Sequence, residues 1–235
     1  MLISGLQKLS LLDYPEKLAA TVFTGGCNFR CPFCHNALLV THAAENPELP
    51  QEEFFAFLET RRGKLDGVCI TGGEPLLQSG IADFIKRIRA LGFSVKLDTN
   101  GAFPQKLSEL LDEGLLDYVA MDFKNSPDKY SLTIGVPNFD PSPVLESARL
   151  LMKSGTAHEF RTTFVKGLHR AEDVHAMGEA LRGAKNYYLQ NFTDSGCLIG
   201  FGGGEVLPMG SFESAELSEF RDIMSLYVQN ATIRG

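Results

Sequence analysis

Six short apolar runs punctuate the chain, at residues 19–23, 67–71, 94–98, 118–123, 159–165 and 187–192. They are rich in Val, Ile, Leu, Phe, Tyr and Thr, and each predicts a strand. Between them, apolar residues recur every three or four positions, the period of a helix with one buried face. Residues 51–62 follow Pro50 and place Phe54, Phe55 and Leu58 at that spacing. Residues 81–91 put Ile81, Phe84, Ile85 and Ile88 on one face and stop at Gly92, a residue suited to the left-handed turn that ends helices. Further helices are predicted over 107–113, 143–153, 172–181 and 213–228. Strands that alternate with helices build a parallel sheet with helices over its faces. Six such units fit an α/β fold of the partial (β/α)6, TIM-like barrel type; a doubly wound open sheet shares the periodicity and stays open. One domain over 1–235 is expected, with 1–18 as an N-terminal extension, 19–192 as the β/α core and 193–235 as a C-terminal loop and helix.

A chain of 235 residues is long enough to bury a core without disulfide or metal staples. Its 22 Lys and Arg against 29 Asp and Glu leave a formal charge of −7. An acidic chain without long basic runs is not built to grip a nucleic-acid backbone, so no direct nucleic-acid partner is expected. Ser4, Gln7, Lys8 and Ser10 interrupt the first apolar stretch, and no run reaches the length of a secretory signal or a membrane span. A cytoplasmic protein with no membrane association is the expectation. Cysteines in that reducing setting hold metal or do chemistry more often than they form disulfides.

The chemistry-bearing residues sit where strands end. Cys27, Cys31 and Cys34 follow the first strand, and Thr71-Gly72-Gly73-Glu74-Pro75 ends the second. Asp98-Thr99-Asn100 ends the third and Asp122-Phe123-Lys124 the fourth; Arg161 lies in the fifth and Gln190 in the sixth. Parallel β/α folds build active sites at the carboxyl ends of their strands, so these residues are expected at one site.

Three of the five cysteines form the spacing C-x3-C-x2-C. Thiolates are soft ligands that suit iron–sulfur clusters, zinc and copper(I). A closed structural zinc site wants four ligands, and His35, adjacent to Cys34, is poorly placed to be the fourth. From spacing alone an iron–sulfur cluster with one open iron, a zinc site and uncoordinated thiols all stay open. Cys69 reads as a small buried hydrophobe, and Cys197 falls in a loop after the last strand. Gly200-Phe-Gly-Gly-Gly204 is not a dinucleotide fingerprint, because Glu205 stands where the last glycine would; it reads as a flexible loop.

The cysteine motif followed by Gly-Gly-Glu-Pro resembles the radical S-adenosylmethionine (SAM) superfamily. Ser10-Leu-Leu-Asp-Tyr-Pro-Glu-Lys-Leu18 and Phe23-Thr-Gly-Gly-Cys-Asn-Phe-Arg-Cys-Pro-Phe-Cys-His-Asn36 more narrowly resemble activating proteins of anaerobic ribonucleoside-triphosphate reductase, as do Leu97-Asp-Thr-Asn-Gly101 and Met121-Asp-Phe-Lys124. Related activases serve pyruvate formate-lyase. The resemblance implies that Cys27, Cys31 and Cys34 ligate a [4Fe–4S] cluster whose fourth iron chelates SAM. It implies that Gly72 and Gly73 let backbone approach the methionine amino group, that Glu74 accepts a bond from it, and that Pro75 stiffens the turn. Asp98, Thr99 and Asn100 would offer polar groups to the ribose or methionine end, and Arg161 would pair with the SAM carboxylate. Phe33 would line the adenine site or shield the cluster, and Gln190 would complete the pocket. Asp98 and Asp122 would repel each other unless Lys124 or a bound cation lay between them. The implied partners are a glycyl-radical enzyme, anaerobic ribonucleoside-triphosphate reductase first, and a flavodoxin or ferredoxin electron donor. A small-molecule radical SAM enzyme and a non-catalytic zinc or electron-transfer module are the alternatives.

Overall fold

The computed structural model describes residues 1–42, 48–200 and 208–234. Its strands are β1 (Ile3–Ser10), β2 (Ala19–Thr24), β3 (Gly67–Gly72), β4 (Ser94–Thr99), β5 (Tyr118–Asp122), β6 (Ala157–Phe164), β7 (Asn186–Asn191) and β8 (Asn230–Arg234). Its helices are α1 (Ala37–Thr41), α2 (Gln51–Glu59), α3 (Ile81–Ala90), α4 (Pro104–Asp112), α5 (Tyr130–Ile134), α6 (Ser142–Ser154), α7 (Ala171–Ala180) and α8 (Ser214–Met224). The strands form one sheet in sequence order, β1 to β8. Strands β2, β3 and β4 pair in parallel, as do β6, β7 and β8, whereas β1 runs antiparallel to β2.

All six predicted strands and all six predicted helices are present, with ends displaced by up to four residues. Two strands were not foreseen. Within the expected N-terminal extension, β1 buries only Ile3 and Ser10, so it carries no alternation to read. In the expected C-terminal loop and helix, β8 has no buried residue, and α8 stops at Met224 instead of running to 228.

The chain folds as two compact units. One comprises Met1–Asn28, Leu38–Thr99 and Gln105–Ala120; the other comprises Phe29–Ala37, Asn100–Pro104 and Met121–Gly235. In the first, Phe54, Phe55 and Phe84 pack with ring centroids 5.2–5.3 Å apart, which seats α2 and α3 against each other. In the second, Phe220 packs on Phe164 at 5.2 Å and on Phe212 at 4.9 Å, binding α8 to β6. No helix among the described residues is long and apolar enough to cross a membrane.

Candidate functional site

In the first unit, the Gly-Gly-Glu-Pro loop docks on the residues that lead into Cys27. Gly73 N–H donates to Thr24 O and Glu74 N–H to Gly26 O, both at 2.9 Å. A Cβ on Gly73 would stand 1.8 Å from Gly26 O, and one on Gly72, whose φ is +113°, would stand 2.4 Å from Thr24 N. The two glycines are therefore required by the close approach of neighbouring backbone.

Glu74 is fully buried, and its Oε1 accepts from Leu76 N–H at 2.9 Å and from Thr99 Oγ1 at 2.8 Å. The carboxylate caps the 3-10 turn of Pro75–Leu77, with Pro75 at the first helical position. Glu74 and Thr99, both expected at SAM, are tied to each other and hold the loop in shape.

Asp98 is also engaged within the protein. Its Oδ2 accepts from Thr71 Oγ1 at 3.1 Å and its Oδ1 pairs with the buried Lys96 ammonium. Cys69 is buried as expected, with its sulfur 3.6 Å from Lys96 Nζ.

In the second unit, the cysteine loop is held from two sides. Arg30 N–H donates to Ile134 O at 2.8 Å, and the Phe29 ring packs edge-on to Phe139 and Tyr130. Gly200 N–H donates to Pro32 O at 2.9 Å, and His35 Nε2 lies 2.8 Å from Thr193 O. His35 thus ties the loop to the segment that follows β7. Cys34 N–H closes a turn onto Cys31 O at 3.0 Å. Phe29 and Phe33 are buried, Phe29 as a packing residue. Asn100 Oδ1 caps its own turn by accepting from Ala102 N–H at 3.0 Å.

Asp122 receives Lys124 Nζ at 2.8 Å and Arg161 Nε at 2.5 Å. Burial pushes the Asp122 carboxyl up, but the two cations outweigh it and hold the group well below the usual carboxylate range. Burial likewise pushes Lys124 down, yet the charges of Asp122, Cys31 and Cys34 hold it above the ordinary lysine value. Arg161, expected to face a SAM carboxylate, turns its Nε to Asp122. The cation expected beside Asp98 and Asp122 is unsupported, because Lys96 neutralises one carboxylate, and Lys124 with Arg161 the other. Gln190 lies near the end of β7, in register with Thr163 of β6 and Arg234 of β8.

Two residues to which the sequence assigned no role at the site matter here. His169 is buried; its Nδ1 accepts from Val165 N–H at 3.0 Å, and its Nε2 reaches Lys124 O at 2.8 Å. It braces the strand ends that carry Asp122 and Lys124. A lone histidine between elements carries no pattern that would reveal this. Gly135, at the end of α5, meets the cysteine loop, and α5 is too short to show a helical period. Phe201–Gly204, the body of the glycine loop, lies outside the described residues.

No disulfide joins the described cysteines. Cys31 is buried, and Cys27 and Cys34 are half-buried. No three His, Cys, Asp or Glu side chains among the described residues are gathered tightly enough for a single metal ion. The donor set fits a [4Fe–4S] cluster: three soft thiols on a short loop.

The family model of the radical SAM superfamily matches residues 21–179. The chain is 31% identical to a Methanocaldococcus jannaschii protein assigned as a glycyl-radical enzyme activating enzyme, over 99% of this chain and 95% of that protein. It is 28% identical to the pyruvate formate-lyase-activating enzyme of Streptococcus mutans, over 92% of this chain and 81% of the relative. Among solved structures, SuiB of Streptococcus suis bound to S-adenosylmethionine matches with a TM-score of 0.63 at 16% identity, over 90% of this chain and 49% of that one. That likeness concerns the fold, a partial β/α barrel. Since the matched span takes in the cysteine loop and the Gly-Gly-Glu-Pro loop alike, the chain belongs to the radical SAM superfamily of enzymes.

Proposed function

We propose that this enzyme activates a glycyl-radical enzyme, and that its partner is an anaerobic ribonucleoside-triphosphate reductase. The observation that carries the activase reading is the end-to-end match with an activating enzyme, on a chain whose cysteine loop is braced in place. The choice of reductase rests on the residues around Asp13-Tyr14-Pro15 and Phe23–Asn36 that resemble its activases.

Cys27, Cys31 and Cys34 would hold a [4Fe–4S] cluster with one iron left for SAM. The chemistry such a cluster would supply, with an electron from a flavodoxin or ferredoxin, is the reductive cleavage of SAM that allows a hydrogen atom to be taken from a partner glycine Cα. The chain's own contribution is placement and exclusion of water. The Gly72–Glu74 segment holds its backbone in a set conformation beside the approach to Cys27. Lys124 and Arg161 together exceed the charge of Asp122 by one, which leaves this strand end suited to the SAM carboxylate. Phe33 and Gln190 complete the set assigned to SAM.

The test is anaerobic reconstitution with iron and sulfide, reduction, and addition of SAM with either the reductase or pyruvate formate-lyase. A glycyl-radical EPR doublet with the reductase is expected. A doublet with pyruvate formate-lyase alone would reassign the partner. Release of 5′-deoxyadenosine with no doublet on either protein would turn the reading toward a small-molecule substrate.

A further inference from the structure

We infer that Gly135 is a positioning residue of the cluster loop: its bare Cα is the saddle on which the backbone of Arg30, between the first two cluster cysteines, is seated. The inference rests on the reading that Cys27, Cys31 and Cys34 hold the cluster.

Gly135 caps α5 in the left-handed conformation, with φ +65° and ψ +29°. Its N–H donates back to Leu132 O at 3.3 Å, and Val136 N–H to Ser131 O at 3.1 Å. That much is ordinary helix termination, for which glycine is favoured because it lacks a Cβ. Gly114 and Gly155 do the same after α4 and α6, with φ of +63° and +73°, and a Cβ on either would meet nothing within 4 Å. Gly135 differs in its surroundings. A Cβ there would stand 2.3 Å from Arg30 O and 3.0 Å from Arg30 C. One residue earlier, Ile134 O accepts the Arg30 N–H at 2.8 Å. The N–H of Arg30 is therefore held by Ile134, and its carbonyl lies against the bare Cα of the next residue, Gly135.

The obstacle in a Gly135→Ala variant is backbone, so no side-chain rotation relieves it. Arg30 must shift, and Cys31 follows it directly in the chain. The end of α5 is itself anchored: Asn125 Nδ2 donates to Thr133 Oγ1 at 2.9 Å, and the Tyr130 hydroxyl accepts from Lys124 N–H at 3.2 Å. The loop is the part that yields. Supports outside a metal site fix the orientation of its ligands, and their loss commonly costs about 10–100-fold in metal affinity.

The experiment compares reconstituted wild type, Gly135→Ala and Gly155→Ala. The last introduces the same residue into the same backbone conformation with no loop to displace. We expect Gly155→Ala to keep its iron content and the wild-type EPR spectrum of the reduced cluster, including its change on adding SAM. Gly135→Ala is expected to keep the wild-type circular dichroism, lose iron to a chelator about tenfold faster or more, and show an altered SAM-induced EPR change. Gly135→Ser places the same Cβ in the contact, with a hydroxyl added, and should fall on the same side as alanine. Gly135→Ala and Gly155→Ala equally impaired, or Gly135→Ala equal to wild type in chelation and EPR, would overturn the inference. A Cys31→Ala variant that retains the full cluster would instead overturn the ligand assignment beneath it.

Discussion

At the scale of single residues, polar groups expected at SAM also hold one another. The buried Glu74 carboxylate takes the Thr99 hydroxyl and the Leu76 N–H. A buried carboxylate that loses a donor bears its desolvation cost, so Thr99→Val, which keeps the volume, is expected to destabilise by about 1–3 kcal/mol. A lower urea midpoint at unchanged slope is the measurement; an unmoved midpoint would show that Thr99 does not hold Glu74. The residue types were legible in the sequence, as was their place at strand ends. Their mutual hydrogen bonds were not, because Glu74 and Thr99 are 25 positions apart.

At the scale of elements, the last strand shows how an edge without buried residues is kept in a sheet. Arg234 makes a two-point contact with the fully buried Glu159, at 2.8 and 3.0 Å, and its guanidinium lies 3.6 Å above the Tyr188 ring. Glu159 is fully buried while Arg234 is 38% exposed, so loss of the arginine takes one charged partner from a buried carboxylate. Arg234→Ala is therefore expected to cost about 1–3 kcal/mol and to speed amide exchange along β8. Arg234→Lys, which lacks the planar fork, should fall between the two. Exchange along β8 as slow in Arg234→Ala as in wild type would refute this account. Residues 230–234 do alternate Ala231 and Ile233 with polar neighbours, but over only five positions and with neither side chain buried. The six inner strands were legible because each buries a run of apolar side chains.

At the scale of the whole molecule, the buried imidazole of His169 ties stability to pH. Burial holds its pKa below the ordinary histidine value, with Asp173 raising it and Lys129 lowering it by lesser amounts. Below the ordinary value the unfolded chain takes up a proton that the folded chain refuses. The contribution is thus complete above about pH 6.5 and declines as the pH falls below it. His169→Gln keeps a donor and an acceptor without titrating. The wild-type holoprotein should lose more thermal stability than the variant between about pH 7 and about pH 5. Equal losses would show that another group carries the acid sensitivity.

The sequence by itself determined the alternation of strands and helices, the class of the fold and the presence of a three-cysteine loop. Those features are written in local periods and spacings. The tertiary structure decided the division of labour among the strand-end residues. It turned Gly72, Gly73, Glu74 and Thr99 inward to shape a loop, matched Asp98 with Lys96 and Asp122 with Lys124 and Arg161, and set Gly135 beneath Arg30. The physical reason is range. A period or a motif is a property of neighbours along the chain, whereas a buried charge finds its partner, and a missing Cβ its obstacle, only when distant segments are brought together.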